Sequence, residues 1–223
     1  MFRSWTGRLP PEIEVLPVEL PGRANRFHEP PLRSVDAIIA QASRALAPWF
    51  DRPLALFGHS MGAILAFELA RWLHRGGVQE PCWLFVSGRR APHLLDPRGS
   101  MYDLPDDRFK ARLRELNGTP QEAWQHPELM EMILPLLRAD CQVVDTYQLE
   151  PGERVSCPIS ALGGLDDQEV GSEDIGAWRE HTTGRFLQRM LPGDHFFIDS
   201  NSSDVLEAVA RDLSSIFPVS KQW

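Results

Sequence analysis

Gly58-His59-Ser60-Met61-Gly62 is the stretch whose reading decides the fold. Residues 53–57 before it form a short apolar run suited to a buried strand. Residues 63–75 after it place Ala66, Phe67, Leu69, Ala70 and Leu73 on one helical face. A serine between two glycines at a strand-to-helix junction is the G-x-S-x-G nucleophile elbow. So tight a turn needs small flanking residues, and Gly58 and Gly62 are expected to supply that room. Ser60 is expected in a strained backbone conformation with its hydroxyl above the sheet. The following helix aims its first N–H groups at the same spot, so the N–H of Met61 is placed to donate to a developing oxyanion.

Working outward, the 223 residues suit one domain, 1–223, with a sizeable core. A hydrophobic content of 43% and a charged content of 24% are those of an ordinary globular protein. The net charge of −8 argues against a nucleic-acid partner held through phosphates. No apolar run is long enough to span a membrane, and no basic-then-apolar leader is present. Cys82, Cys141 and Cys157 form no C-x-x-C pair and read as small buried hydrophobes, reduced in a cytoplasm.

In chain order, Phe2, Trp5 and Leu9 fall on one helical stripe with no cap before it, like the back half of a helix that Pro10 and Pro11 stop. The alternation of Ile13, Val15 and Val18 predicts a strand over 12–20, followed by a polar, proline-rich loop to Pro31. Ser34 is the expected N-cap of a helix over 35–50, and Gly76-Gly77 the stop of the elbow helix. Further strands are expected at 82–87, 159–162 and 185–191. Helices are expected at 174–182 and at 203–217, the latter capped by Ser202 or Ser203. Between the strands at 82–87 and 159–162, residues 105–147 are helical: 106–116, a short turn near 121–124, and 127–147. The fold class is therefore α/β, a mostly parallel sheet with helices on both faces and a helical lid inserted at 100–155.

A serine hydroxyl needs a base, and the base needs an orienting carboxylate. In a parallel sheet these partners sit just past the carboxyl ends of later strands, in the order Ser, acid, His. The strand at 159–162 leads into Gly163-Gly164-Leu165-Asp166-Asp167, and that at 185–191 into Pro192-Gly193-Asp194-His195. His195 is thus the base. Its competitors are placed less well: His59 adjoins the nucleophile and should leave the elbow in another direction, His74, His126 and His181 sit on or beside helices, and His28 and His93 lie in early loops. Asp166 and Asp167 both remain candidates for the acid on position alone.

Together these residues resemble the type II thioesterases that accompany polyketide synthases and nonribosomal peptide synthetases. The resemblance is carried by Leu20-Pro21-Gly22-Arg23 with Arg26 and Glu29-Pro30-Pro31, by 57–63 continuing to Ala66-Phe67-Glu68, and by Ser87-Gly88 with Pro92. Leu137-Arg138-Ala139-Asp140 and Gly193-Asp194-His195-Phe196-Phe197 complete it. It implies an α/β-hydrolase fold with a mobile lid that hydrolyses acyl thioesters on the phosphopantetheine arm of acyl or peptidyl carrier proteins, clearing misprimed or stalled groups. It also implies no metal or bound cofactor, a cytoplasmic monomer, and Asp167 as the acid, since Asp167 precedes Gln168-Glu169-Val170 where relatives read Pro-x-Val. Against the family pattern the chain lacks the first strand and its Phe-Pro-x-Ala-Gly-Gly loop, which gives a second oxyanion donor. Either the start is set at an internal methionine or this product lacks the strand. Met130, Met132, Ile133, Leu136 and Leu137 are expected to cover the acyl chain, and Arg23 and Arg26 are candidates for the carrier's phosphate or acidic surface. A generic esterase or lipase on the same fold, and a non-catalytic carrier-binding remnant, are the competing readings.

Overall fold

The computed structural model describes residues 2–119, 121–152 and 154–217. Met1, where the uncapped helix was expected to begin, and Pro120 and Glu153 of the insert lie outside the described residues. Trp5 and Phe2 form one short 3-10 turn, Phe2–Trp5, rather than an α-helical half.

Strands β1 (Ala55–His59), β2 (Trp83–Ser87), β3 (Ile159–Gly164) and β4 (Phe186–Leu191) make one sheet in that order. All pairs are parallel, with Ala55 opposite Trp83, Leu84 opposite Ile159 and Ile159 opposite Phe186. Every strand therefore ends on the same edge of the sheet, where ligand sites of open α/β sheets form.

Alternation along the strands assigns the two faces. Leu84, Val86, Ile159 and Ala161 meet helices α1 (Val35–Leu46) and α2 (Met61–Arg75), which contribute Ile38, Ile64, Phe67 and Leu73 to the main core. Burying a side chain such as Phe67 fully contributes about 1.5–3 kcal/mol. Trp83 and Phe85 turn the other way, onto Val209 and Leu213 of α8 (Ser202–Ser214). A buried polar chain pins α8 there: Trp83 Nε1 donates to Ser160 Oγ (2.9 Å), which donates to Asp212 Oδ2 (2.6 Å), and Arg189 grips the same carboxylate with bonds of 2.8 and 2.6 Å.

Ser34 caps α1 as expected, its Oγ accepting from the Ala37 N–H at 3.3 Å. Three expectations need correction. The segment 12–20 pairs with no strand among the described residues. Ile13 and Val15 do pack on the core, but alternation only marks a half-buried chain, and a ladder also needs a neighbour to accept its N–H groups. The helix over 174–182 divides into α6 (Ser172–Gly176) and a 3-10 turn (Ala177–His181). The N-cap of α8 is Asn201, with no side-chain cap bond, because the short helix α7 (Phe197–Ser200) runs directly into it.

Between β2 and β3, helices α3 (Asp106–Leu116), α4 (Gln121–Gln125) and α5 (Pro127–Asp145) bury a small core of their own, with Phe109, Leu113, Ala123, Met130 and Leu134. Arg138 of α5 binds the Leu104 carbonyl (2.8 Å) and the Asp106 carboxylate (2.6 Å) and lies over the Phe109 ring, which locks α3 to α5. The far end of α5 is tied to the body: Tyr147 and Arg71 both bond to Glu68 Oε1, at 2.7 and 2.6 Å. No helix among the described residues is long and apolar enough to cross a membrane.

Candidate active site

Ser60 joins β1 to α2 with φ 54° and ψ −118°, a conformation that side chains with a Cβ rarely hold. Its own N–H donates to the Ser87 carbonyl (2.8 Å), which fastens the turn to the end of β2. The two elbow glycines are not equivalent. A Cβ on Gly58 would lie 1.8 Å from the Gly62 carbonyl oxygen, so the strand and the helix start leave no room there. A Cβ on Gly62 would meet nothing within 4 Å, so the steric need expected of Gly62 is absent. The Met61 N–H stands at the first position of α2, where no intrahelical carbonyl reaches it.

His195 and Asp167 arrive from the loops after β4 and β3. Those loops are tied together: Leu165 N–H donates to the Leu191 carbonyl (2.8 Å) and Asp166 N–H to the Gly193 carbonyl (2.9 Å). The His195 Nδ1–H donates to Asp167 Oδ2 at 2.8 Å, which leaves Nε2 bare to accept the Ser60 hydroxyl at 3.1 Å. The other Asp167 oxygen accepts the N–H groups of Glu169 (2.7 Å) and Val170 (3.2 Å). Burial pushes this carboxyl up, but the His195 bond and charge and the two backbone donors outweigh it and hold Asp167 below the usual carboxylate range. Asp166, left open by position alone, is exposed, and the imidazole bonds to Asp167 instead.

His59 does leave the elbow as expected, its Nδ1 bonded to Ser87 Oγ at 3.0 Å, yet its ring packs against His195. Burial, then the neighbouring His195 charge, pushes it down to about 3, so it is a neutral ring packed against His195. Of the seven histidines only His59 and His195 line the cavity at the site. His93 and His181 bond to each other at 2.7 Å, and burial pushes His181 down to about 4.

The cavity measures about 1140 Å³; Ser60 and His195 line it, and it reaches both the helical insert and the N-terminal segment and α8, where Leu9, Ile13, Val15 and Leu213 line it. Met101, Leu113, Leu116 and Leu137 line it from the insert. Of the five residues expected over an acyl chain, only Leu137 lines the cavity. Met130 is buried inside the insert, Met132 is exposed, Ile133 packs on the insert core and Leu136 lies against Gly22. Helical spacing marked the apolar stripe of α5 but not which side met the cavity. Asn117, at the end of α3, donates to Asp194 Oδ2 (3.3 Å), so the insert touches the His195 loop. Arg23 and Arg26 are engaged internally, with Asp140 and Glu29. Sequence reasoning missed Arg89, which also lines the cavity; the rule that sites form past strand ends would have found it, one step beyond Ser87-Gly88. Among the described residues no group of three or more His, Cys, Asp or Glu could hold a metal ion.

A parallel sheet with a strained serine at the elbow of β1, and a histidine and a carboxylate delivered by the later strand ends, defines an α/β-hydrolase. The chain belongs to the thioesterase-domain family, whose model matches residues 1–217. It is 43% identical to linear gramicidin dehydrogenase LgrE of Brevibacillus parabrevis, over 96% of this chain and 83% of that protein. It is 37% identical to thioesterase PikA5 of Streptomyces venezuelae, over 95% of this chain and 75% of that one. Among solved structures it resembles RedJ, a thioesterase from the prodiginine biosynthetic pathway in Streptomyces coelicolor. There the TM-score is 0.87 and the identity 38%, over 94% of this chain and 79% of RedJ. The chain is a thioester hydrolase by family.

Proposed function

We propose that this chain hydrolyses acyl thioesters on the phosphopantetheine arm of acyl or peptidyl carrier proteins, clearing misprimed or stalled groups during polyketide or nonribosomal peptide assembly. The observation that carries this reading is the Ser60–His195–Asp167 relay at 3.1 and 2.8 Å in a thioesterase-family fold. Ser60 Oγ attacks the thioester carbonyl as His195 Nε2 takes its proton. Asp167 holds the ring and stabilises the imidazolium. The Met61 N–H donates to the oxyanion. The carbon–sulfur bond breaks, His195 returns its proton to the departing thiolate, and the acyl group stays on Ser60. His195 then takes a proton from water, hydroxide adds to the acyl carbonyl, and the acid leaves as Ser60 regains its hydrogen. No step calls for a metal or bound cofactor. Helices α3–α5 act as a lid over the acyl group within a single domain.

The word dehydrogenase in the name of LgrE has no counterpart at the β1–α2 turn here. Gly58-x-Ser60-x-Gly62 places a nucleophile where a dinucleotide fingerprint needs a second glycine.

The test is hydrolysis by the purified chain of an acyl-carrier thioester and of a soluble oxygen ester with the same acyl group. The carrier thioester should be cleaved at least about tenfold faster, and Ser60→Ala should lower turnover by about 10⁴-fold or more. Equal rates would favour a generic esterase. No hydrolysis by the unaltered chain would leave a carrier-binding remnant.

A further inference from the structure

Arg89 follows Gly88 at the carboxyl end of β2 and lines the cavity that holds Ser60, Met61 and His195. Its backbone is anchored, since the Arg89 carbonyl accepts Trp178 Nε1–H at 2.7 Å. Among the described residues no hydrogen bond or ion pair reaches its guanidinium. Burial pushes it below the ordinary arginine range. A partly buried fork of N–H donors without a protein acceptor is left to water or to a ligand that enters the cavity.

The other cations lining the cavity are already paired. Arg23 binds Asp140, Arg52 binds Asp51, Arg98 binds Asp96 and Glu169, and Arg112 binds Glu115. The acids nearest in charge to Arg89 are also engaged. Asp96 is held by Arg98, and Asp145 Oδ2 accepts the N–H groups of Met101 (2.6 Å) and Tyr102 (2.9 Å). An anion entering here would meet one uncommitted cation beside carboxylates that already hold hydrogen-bond donors.

We infer that Arg89 binds a carboxylate carried by the acyl group itself, so that the substrates include acyl chains with a free acid at their far end. The inference rests on the carrier-arm reading above. The phosphate of the arm could offer the same chemistry, but the geometry favours the acyl end. Arg89 is rooted beside the elbow: Ser87 accepts the Ser60 N–H, and Gly88 lies so close that a Cβ there would be 2.4 Å from His59 Cε1. Arg89 lines the same cavity as Cys141 and Asp145 of α5, so it faces the space that the insert borders. With the thioester at Ser60, the phosphate sits at the far end of the pantetheine chain, whereas a carboxylate a few carbons from the thioester stays within the cavity that Ser60 and Arg89 share. Leu113, Leu116 and Val170 line the same cavity and suit its methylenes. The planar guanidinium can take both carboxylate oxygens in parallel bonds.

The test measures binding of amide analogues of acyl-pantetheine and acyl-phosphopantetheine, which the protein cannot hydrolyse. Each carries either a glutaryl group or the methyl ester of that group. The unaltered protein should bind the free acid about tenfold to a hundredfold more tightly than the ester, on either arm. Arg89→Gln should bring that ratio close to one, and Arg89→Lys should restore part of it. An acid-to-ester ratio near one in the unaltered protein overturns the inference, and this arm holds even if the variants fail to fold. A ratio that survives in folded Arg89→Gln overturns it as well. So does a variant that loses only the preference for the phosphorylated arm, which would make Arg89 a phosphate reader. Because the readout is binding, it stands apart from the hydrolysis assay that tests the function itself.

Discussion

The imidazole of His59 packs against that of His195 with ring centroids 5.1 Å apart, and burial keeps the His59 ring neutral. A proton on His59 would oppose the imidazolium that the proposed reaction forms on His195.

That arrangement makes stability depend on pH. His59 falls from an ordinary 6.5 to about 3 in the folded chain, so on acidification the unfolded chain gains this proton first. Its contribution is complete above 6.5 and is lost as the pH falls toward 3. His181, pushed down to about 4, adds to the same loss. Asp167, held below its ordinary 3.8, contributes only to the loss below that value. Melting temperature should therefore decline from pH 6.5 downward, and His59→Asn, which keeps a polar atom for Ser87, should decline less steeply. Parallel curves for the two proteins would contradict a neutral His59.

Asp167 and Asp166 are neighbours with opposite surroundings, so their amide variants should separate. Asp167→Asn keeps the shape but cannot hold the His195 tautomer, and kcat should fall by about 10³–10⁴-fold. Asp166→Asn should leave turnover near that of the unaltered chain. Steady-state hydrolysis of one acyl-carrier thioester checks both, and equal losses would refute the assignment.

Gly58 and Gly62 should respond in opposite directions. Gly58→Ala drives a methyl group into the Gly62 backbone 1.8 Å away and should cost about 3 kcal/mol or more, or prevent folding. Gly62→Ala meets open space in the first turn of α2 and should be neutral or stabilising by up to about 1 kcal/mol. Denaturant unfolding measures the contrast, and comparable destabilisation by both would refute it.

The strain at Ser60 can be read from inactive variants. With φ at 54°, Ser60→Gly should be more stable than Ser60→Ala by about 1 kcal/mol. Equal unfolding midpoints would show that the elbow holds no such strain.

The site was legible where local chain geometry forces the chemistry. The G-x-S-x-G turn, the order of strands and the short loops after β3 and β4 left Ser60 and His195 little freedom, because a parallel sheet brings its strand ends to one edge. The acid was narrowed only to Asp166 or Asp167 by position, since adjacent loop residues share composition and spacing. The resemblance to known thioesterases then chose Asp167, and the N–H groups of Glu169 and Val170 explain physically why its carboxylate turns inward.

What the sequence by itself determined was the alternation of strand and helix, the elbow and the order of the relay, all set by periodicity and turn chemistry within a few residues of each position. What only the tertiary structure decided were contacts between distant segments. These include the absence of any ladder for 12–20, the side of α5 that faces the cavity, the packing of His59 on His195, and the capture of Arg23 by Asp140 while Arg89 was left open. Such contacts depend on which surfaces meet once the chain has closed, and residue spacing along the chain carries no record of that distance.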